Sequence, residues 1–398
     1  MLIIKGHRIP LVILIALLSV NTAVFAQKVD IAKQFKYAGQ QTDYMLEALK
    51  TADTSKGKLF PRTFEDGQLK LINSKDWTSG FFSGILWYLY DYTKDKKWLI
   101  QAQDYTARLA NEQYNKTTHD LGFIIYCSFG NGYRLTKNEY YKKVIIQAAR
   151  SLSTRFNPKT GVIRSWDHNK DRWKYPVIID NMMNLELLFN ATKLTGDSSF
   201  YKIAISHANH TMLNHFRPDH SSYHVVDYDP ETGKVIQKNT AQGYSDASAW
   251  ARGQAWGLYG YTMCYRETGD KKYLTQAQNI ARFIFNNPTM PKDLVPYWDY
   301  NDPAIPNAPR DVSAAAIMAS ALYELATYSS GNDYKEKANI ILANLGDYYK
   351  APLNTNGNFI LLHSTGNKPS KSEIDVPINY ADYYYLEALL RSRKFVKN

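Results

Sequence analysis

The sequence predicts an all-α protein folded as an (α/α)6 barrel, a toroid of six helical hairpins. Two observations support this fold class. A short Thr/Gly/Asp turn recurs along the chain, and an amphipathic helix rich in aromatic residues and alanine follows each copy. Between these helices lie segments that are apolar or small on nearly every side, and helices of that kind belong in a protein interior. Six outer helices therefore alternate with six inner ones.

Residues 1–26 have the pattern of a signal peptide. Lys5 and Arg8 supply the charge, residues 11–20 form a short apolar run, and Val24-Phe25-Ala26 fits a cleavage site. A retained membrane anchor is the alternative, but the apolar run is short for a spanning helix. We expect residues 27–398 to form a single exported, periplasmic domain, with no membrane contact once the signal peptide is removed.

The composition narrows the classes of partner. The formal net charge of +11 at pH 7 favours polyanions in general, but the lysines are scattered along the predicted outer helices, so nucleic acid is not expected. Cys127 and Cys264 fall in apolar helical segments, and two cysteines are too few for a disulfide framework. The 31 tyrosines and 8 tryptophans are typical of an aromatic cleft that binds sugars.

The outer helices are predicted from one-sided apolar spacing. In the segment that starts at Thr93, the residues Trp98, Ala102, Tyr105 and Leu109 lie on one helical face, and the other faces are polar. The full set is the N-terminal helix over residues 29–49 and the segments that start at Thr93, Thr136, Thr195, Thr268 and Ser329.

The predicted inner helices have no polar, solvent-exposed face. They start near Thr78, Leu121, Asn181, Ser245, Val312 and Tyr380. In the fourth, SDASAWARGQAWGLYG, Ser245 or Asp246 is the candidate N-cap. An open solenoid is the alternative to a closed barrel, but its terminal units would resemble caps, and here they resemble the other units.

All inner helices run in the same direction, so their N-termini meet at one end of the barrel. A polar or acidic residue stands near each of them: Asp76, Asp120, Asp180, Asp246, Asp311, and Asn379 with Asp382. Any one of these aspartates could be an ordinary N-cap. Six at one end, together with the positive ends of the helix dipoles, predict a site for an anionic ligand.

Two connections at this end carry β-hairpin signals, over residues 156–166 and residues 223–237. The second resembles a fragment of a calcium loop, but Pro230 and Gly233 suit a tight turn, and the later bidentate glutamate is missing. His207, His210 and His215 are assigned to the wet side of an outer helix, and no HExxH or CxxC motif occurs. We therefore expect neither a metal nor a cofactor.

Asp120 and Asp180 are the candidate catalytic pair. They begin consecutive inner helices, so they should be neighbours across the pocket. Paired carboxyls in a partly dry cleft can hold different protonation states. The apolar residues Val177, Ile178 and Ile179 precede Asp180, and this environment predicts a raised pKa and a protonated acid.

Five segments resemble glycoside hydrolase family 88, the unsaturated glucuronyl hydrolases. They are DWTSGFFSG at Asp76, HDLGF at His119, IDNMMNL at Ile179, SAWARGQAWGLYG at Ser248 and VPINYADYYYLEALL at Val376. The resemblance implies a substrate with a nonreducing-end 4,5-unsaturated uronic acid, as polysaccharide lyases leave it. It also implies that Asp180 protonates C4 and assists the attack of water on C5, with Asp120 as the second carboxylate.

The resemblance also implies the substrate-binding residues. His224 and Gln242 match a histidine and a glutamine that line the uronate site, and Trp250 matches a tryptophan that contacts the sugar, with Arg252 beside it. The remaining implied contacts are Trp77, Trp166, His363, and Ser370 and Ser372 with Lys371, the last three as candidates for holding a sulfate. The local sequence KPSKSEID departs from the family pattern, so sulfate preference stays open.

Two other functions remain open. One is hydrolysis of unsaturated rhamnogalacturonan disaccharides by the related family 105, which shares the fold and mechanism. HDLGF and the spacing of His224 and Gln242 favour the glucuronyl enzyme. The other is a noncatalytic glycan-binding toroid, which would have no need of two neighbouring aspartates in its pocket.

Overall fold

The computed structural model describes residues 29–329 and 333–395, and its α-helices alternate between an outer and an inner layer. The predicted signal peptide lies outside the described residues. The outer helices are α1 (Ile31–Thr51), α3 (Lys96–Ala107), α5 (Glu139–Ser153), α7 (Ser198–Asn214), α9 (Lys271–Asn286) and α11 (Tyr334–Tyr348). The inner layer contains α2 (Ser79–Thr93), α4 (Asn131–Thr136), α6 (Leu185–Thr195), α8 (Ala251–Thr268), α10 (Val312–Leu325) and α12 (Asn379–Ser392).

The inner helices form a closed ring. α2 packs against the inner segment that leads into α4, and the ring continues through α6, α8 and α10 to α12. α12 packs against both α10 and α2, which closes the circle. The side-chain amide of Gln41 on α1 donates to the carbonyl of Phe359 at 2.9 Å. This hydrogen bond joins the first outer helix to the loop that follows the last outer helix, α11. The predicted (α/α)6 barrel is confirmed, and the open solenoid is excluded.

The recurring turn is explained by what each hairpin requires. An inner helix ends on a residue in the left-handed region, and the next residue caps the outer helix. The left-handed residues are Lys94, Lys137, Gly196 and Gly269. The N-caps that follow them are Asp95, Asn138, Asp197 and Asp270, whose side chains each accept a backbone N–H from the first turn.

Two inner helices begin irregularly at the end where the aspartates meet. A π-helical segment, Gly122–Gly130, continues into α4, and a 3-10 segment, Ile179–Asn184, continues into α6. α8 also starts differently from the prediction, because its N-cap is Trp250. Ser245 and Asp246 lie in the preceding loop, where Asp246 accepts from the backbone N–H of Thr240 at 2.7 Å.

Three small sheets lie between the helices. Strands β1 (Phe60–Glu65) and β2 (Gln68–Ile72) form a hairpin before α2, which the sequence analysis did not predict. The two predicted hairpins are present as β3 (Phe156–Asn157) with β4 (Val162–Ile163), and β6 (Val225–Tyr228) with β7 (Val235–Asn239). The short strand β5 (Pro176–Ile178) pairs with β6 and leads directly into the 3-10 segment that carries Asp180.

The structure also bears on the predictions for the two cysteines, for membrane-spanning helices and for the histidines of α7. Cys127 and Cys264 are buried free thiols, as predicted. Over the described ranges, no helix is both long enough and apolar enough to cross a membrane. His207 and His215 are not on the wet side of α7, because each is fully buried against the sheets. His207 accepts from the backbone N–H of Ile163 at 3.0 Å, and His215 Nε2 lies 3.0 Å from the carbonyl of Val177.

Replacement of Gly80 by alanine tests the close packing of the inner ring. A Cβ at Gly80 would lie 2.2 Å from the backbone carbonyl oxygen of Phe123, so α2 and the π-helical segment would have to separate. We expect Gly80→Ala to lower the free energy of unfolding by about 1–3 kcal/mol in urea denaturation. Gly39→Ala on outer helix α1 is the control, since its Cβ would meet only Trp98 at 3.5 Å. It should raise stability by about 0.5–1 kcal/mol. Equal effects of the two changes would contradict the packing described here.

Candidate active site

Asp180 is a buried carboxyl at the end where the inner N-termini meet. It follows β5, its side chain is 9% exposed, and Oδ2 has no hydrogen-bond partner among the described residues. Burial raises the pKa of Asp180 to about 7, the Arg252 charge lowers it, and the Asp120 charge raises it further. A carboxyl with that pKa is protonated in a large fraction of molecules near neutral pH.

Asp120 lies close enough to influence Asp180, but its surroundings differ. Oδ2 of Asp120 accepts from the hydroxyl of Thr118 at 2.6 Å, and Oδ1 lies 3.2 Å from Nε2 of His119. His119 is fully buried, and burial lowers its pKa. The sequence placed His119 only as a neighbour of Asp120, and the structure places it beside that carboxyl, fully buried and with no hydrogen-bond partner for either ring nitrogen among the described residues. Its position next to the aspartate in HDLGF is the signal that could have identified it.

His224 faces Asp180 with a defined tautomer. Its Nδ1 accepts from the backbone N–H of Ala241 at 3.0 Å and of Gln242 at 3.1 Å, because the β6–β7 hairpin returns the chain to it. Nε2 therefore carries the ring proton. Nε2 is 3.7 Å from Asp180 Oδ2, and burial lowers the pKa of His224 well below its usual value. A neutral N–H donor thus points towards the free carboxyl oxygen.

Arg252 on α8 is fully buried and is held by the protein. Its Nη1 donates to Asp311 Oδ2 at 2.7 Å and to the carbonyl of Thr365 at 2.6 Å, and Nη2 donates to the carbonyl of Gly366 at 2.6 Å. The guanidinium lies 4.4 Å from the ring of Trp250. Arg252 therefore places a fixed positive charge near Asp180. It also anchors the connection between α11 and α12, residues 349–378, which we call the C-terminal loop.

Trp256 is a site residue that the sequence analysis did not include in the site. Its indole N–H lowers the pKa of Asp180 and makes no hydrogen bond within the described residues. The ring packs 5.2 Å from Phe123 and 5.4 Å from Tyr384. The signal was available, because Trp256 follows Arg252 by four residues and thus shares its helical face.

The other predicted aromatic residues surround this group. The ring of Trp250 lies 4.7 Å from His224, and Trp166 lies 5.9 Å from the same imidazole. Trp77 is half-buried and lies 5.0 Å from Tyr380 and 5.3 Å from Phe123. Trp250 is almost fully buried, whereas Trp77 and Trp166 are partly exposed and offer ring surface to which a sugar can bind.

The C-terminal loop meets the site through different residues from those predicted. Gln242 donates to the carbonyl of Gly366 at 3.2 Å, the same oxygen that Arg252 binds. His363 is half-exposed, and its ring contacts Asp375 at 2.7 Å and Tyr349 at 6.0 Å between centroids. Those contacts do not include Asp180 or His224. Its role as a substrate contact stays a prediction.

Ser370 and Ser372 lie at the tip of this loop, beside exposed Lys371. The tip is closed by backbone hydrogen bonds of 3.0 and 3.1 Å between Asn367 and Ser372. Neither serine hydroxyl is tied to the protein by a hydrogen bond in the part of the chain that the structure describes. Sulfate binding by these residues stays a prediction.

Neither a metal centre nor the large cavity at the far end competes with this site. Within residues 29–329 and 333–395, no three His, Cys, Asp or Glu side chains are grouped so that they could hold a metal ion. A cavity of about 1150 Å³ opens at the C-terminal ends of the inner helices. Its charges are already paired, as Arg266 with Glu324 at 3.0 Å and Arg391 with Glu324 at 2.8 Å. None of the predicted site residues lines it.

Comparison with known proteins identifies the family of the chain. Residues 54–392 match the model of Glycosyl Hydrolase Family 88. An unsaturated glucuronyl hydrolase of Formosa agariphila is 52% identical over 327 residues, which are 82% of each chain. The crystal structure of an unsaturated glucuronyl hydrolase specific for heparin superposes with a TM-score of 0.87 at 48% identity, over 92% of this chain and 97% of that one. An aspartate-to-asparagine mutant of a Streptococcus agalactiae unsaturated glucuronyl hydrolase, in complex with dGlcA-GalNAc6S, has a TM-score of 0.76 at 29% identity, over 92% of both chains.

The raised pKa of Asp180 predicts a pH-dependent stability difference. The folded protein holds this proton more tightly than the unfolded chain, in which the pKa is near 3.8. Wild-type stability should therefore fall relative to Asp180→Asn as pH rises from about 4 to about 7, with a slope approaching about 1.4 kcal/mol per pH unit. Urea denaturation of both proteins across this range measures the difference. A constant difference from pH 4 to pH 8 would show that the pKa is not raised.

Proposed function

The chain belongs to Glycosyl Hydrolase Family 88, and on that basis we propose that it removes 4,5-unsaturated glucuronic acid from the nonreducing end of oligosaccharides, with Asp180 as the general acid/base. Family membership and 52% identity to an unsaturated glucuronyl hydrolase support the reaction. The single observation that carries the role of Asp180 is its buried Oδ2, which has no partner among the described residues and faces the Nε2 of His224 at 3.7 Å.

The reaction is a hydration of the vinyl ether rather than a displacement at the anomeric carbon, so it is an exception to two-carboxylate glycoside hydrolysis. The Asp180 carboxyl donates its proton to C4, and the electron pair of the double bond forms the new C–H bond. Positive charge develops at C5 and on the ring oxygen. Water then adds to C5 while the Asp180 carboxylate takes up one of its protons. The resulting hemiketal opens, and the rearranged sugar releases its neighbour.

The surrounding groups match the needs of these steps. A general acid functions best when its pKa is near the working pH, and burial brings Asp180 to about 7. When Asp180 has given up its proton, the Arg252 charge and the indole N–H of Trp256 stabilise the carboxylate. The N-termini of the inner helices favour the carboxylate of the uronic acid. Asp120, held by the hydroxyl of Thr118, is placed to orient the sugar ring or the water.

The substrates that we propose are lyase-generated oligosaccharides of the glycosaminoglycan type. One similar structure is that of an enzyme specific for heparin, and another holds dGlcA-GalNAc6S, so relatives act on more than one such chain. A lyase creates the 4,5 double bond by elimination, and this chain would act directly on that product. The positive net charge of +11 suits acidic oligosaccharides.

The expected activity is loss of the ultraviolet absorbance of the conjugated double bond when the protein is incubated with lyase-derived disaccharides of chondroitin, hyaluronan and heparin. Asp180→Asn should lower kcat by at least about 100-fold while substrate binding persists, because the proton donor is lost and the shape of the pocket is kept. Asp382→Asn is the matched control, since Asp382 is equally buried but binds the backbone N–H groups of Ile360 and Leu361. It should retain turnover per folded molecule.

The other outcomes of this assay identify the competing functions. Absorbance loss only with pectin-derived disaccharides would indicate the rhamnogalacturonan activity. Binding of the glycosaminoglycan disaccharides without absorbance loss by the wild type would indicate a noncatalytic toroid. Full turnover by Asp180→Asn would remove Asp180 from its proposed role.

We also propose that the protein is exported to the periplasm. The pattern of charge, apolar run and small residues over residues 1–26 supports this. When the full chain is expressed in a Gram-negative host, the periplasmic fraction should contain a protein that begins at Gln27, as measured by N-terminal sequencing. A cytoplasmic protein that still begins at Met1 would contradict the proposal.

A further inference from the structure

The β1–β2 hairpin carries an arginine that connects the start of α2 to the C-terminal loop. Arg62 donates from Nη1 to Asp76 Oδ2 at 2.8 Å and from Nη2 to Glu373 Oε2 at 2.8 Å, and it also contacts the second oxygen of each carboxylate. We propose that these three residues, the Arg62 clamp, position the walls that hold the sugar, so that Arg62 is a positioning residue for the reaction. This inference rests on the proposed function.

One end of the clamp fixes the start of α2. Asp76 Oδ1 also accepts from the backbone N–H of Thr78 at 2.9 Å and from its hydroxyl at 2.8 Å. Trp77 lies between these two residues, and its ring packs against Tyr380 at 5.0 Å. The direction of Asp76 therefore sets the position of the partly exposed Trp77 ring beside Phe123 and Tyr380.

The other end fixes the C-terminal loop. The backbone N–H of Gly366 donates to the carbonyl of Glu373 at 2.7 Å. The fit is so close that a Cβ at Gly366 would lie 2.4 Å from Glu373 Oε2. The carbonyl of the same Gly366 accepts from Arg252 and Gln242. Glu373 thus holds the peptide that ties the loop to the uronate side of the pocket.

The loop needs such a restraint, because several of its residues adopt unfavourable backbone angles. Lys371, Glu373 and Asp375 all have positive φ, at 52°, 54° and 57°. Each such non-glycine residue is strained and persists only where the surroundings hold it. A partly buried arginine between two carboxylates is weak evidence for stability. Its planar donor groups do fix direction on both sides at once, which a lysine cannot do.

The reacting groups are held by other contacts. Asp180 is placed by β5 and the 3-10 segment, and His224 by β6 and the backbone N–H groups of residues 241 and 242. Loss of the Arg62 clamp should therefore weaken binding of the substrate and binding of the transition state by the same amount. Such a loss raises KM and leaves kcat nearly unchanged.

The test is a steady-state comparison of wild type, Arg62→Ala, Glu373→Ala and the double variant on a disaccharide that the wild type consumes. We expect each single change to raise KM about tenfold with kcat within about twofold, and the double variant to be no worse than Arg62→Ala. Arg266→Ala is the matched control, since Arg266 is a similarly covered arginine (27% exposed against 22%) that binds three glutamates, Glu186, Glu267 and Glu324, at the opposite end. It should lower Tm without changing KM.

Three results would overturn the inference: an unchanged KM in Arg62→Ala, the same KM rise in Arg266→Ala, or additive effects in the double variant. If Arg62→Ala does not fold, Arg62→Lys is measured instead, because it keeps the charge but cannot bind both carboxylates with paired donors. An unchanged KM in Arg62→Lys would likewise overturn the inference. A wild type that consumes no disaccharide would instead refute the proposed function, before any variant is considered.

Discussion

The proposed chemistry depends on one buried carboxyl oxygen, Oδ2 of Asp180, which has no hydrogen-bond partner within residues 29–329 and 333–395. Burial of an unpaired polar group is costly, and buried polar groups in folded proteins normally have hydrogen-bond partners. Here the cost is reduced because burial brings the pKa of Asp180 to about 7, so the group can stay neutral. The closed ring buries this carboxyl and raises its pKa, and the fixed charge of Arg252 offsets part of that rise.

The barrel provides this environment through its close packing. Glycines let the inner helices approach until a Cβ would clash, as at Gly80 against Phe123 and at Gly260 against Met182. The two inner helices that carry the acidic pair begin with π and 3-10 turns rather than regular α turns. π segments are rare and occur often at functional sites. The regular outer layer thus supports an inner layer that is irregular where the two proposed catalytic aspartates lie.

The sequence predicted the alternation of helices, the closed ring and the aspartate pair, because each depends on local periodicity and on repeated turn residues such as Asp197 after Gly196. It did not predict contacts between distant parts of the chain. Arg62 and Glu373 are 311 positions apart, and neither belongs to a recognisable pattern. The predicted start of α8 was wrong for a similar reason. The loop before α8 is held by a distant residue, Asp299, which accepts a hydrogen bond from the Ser248 hydroxyl at 2.7 Å. His119 and Trp256 carried local signals, but their importance depends on burial that only the assembled ring creates.

The most direct test of the proposed mechanism is to follow the proton that is added to C4 of the unsaturated sugar. When the wild type consumes an unsaturated disaccharide in D₂O, nuclear magnetic resonance of the product should show one deuterium at C4, on a single face of the sugar. Asp180→Asn should produce no such label under the same conditions. Release of the second sugar with the C4–C5 double bond intact and no deuterium at C4 would mean direct cleavage at the anomeric carbon, and would contradict the role assigned to Asp180.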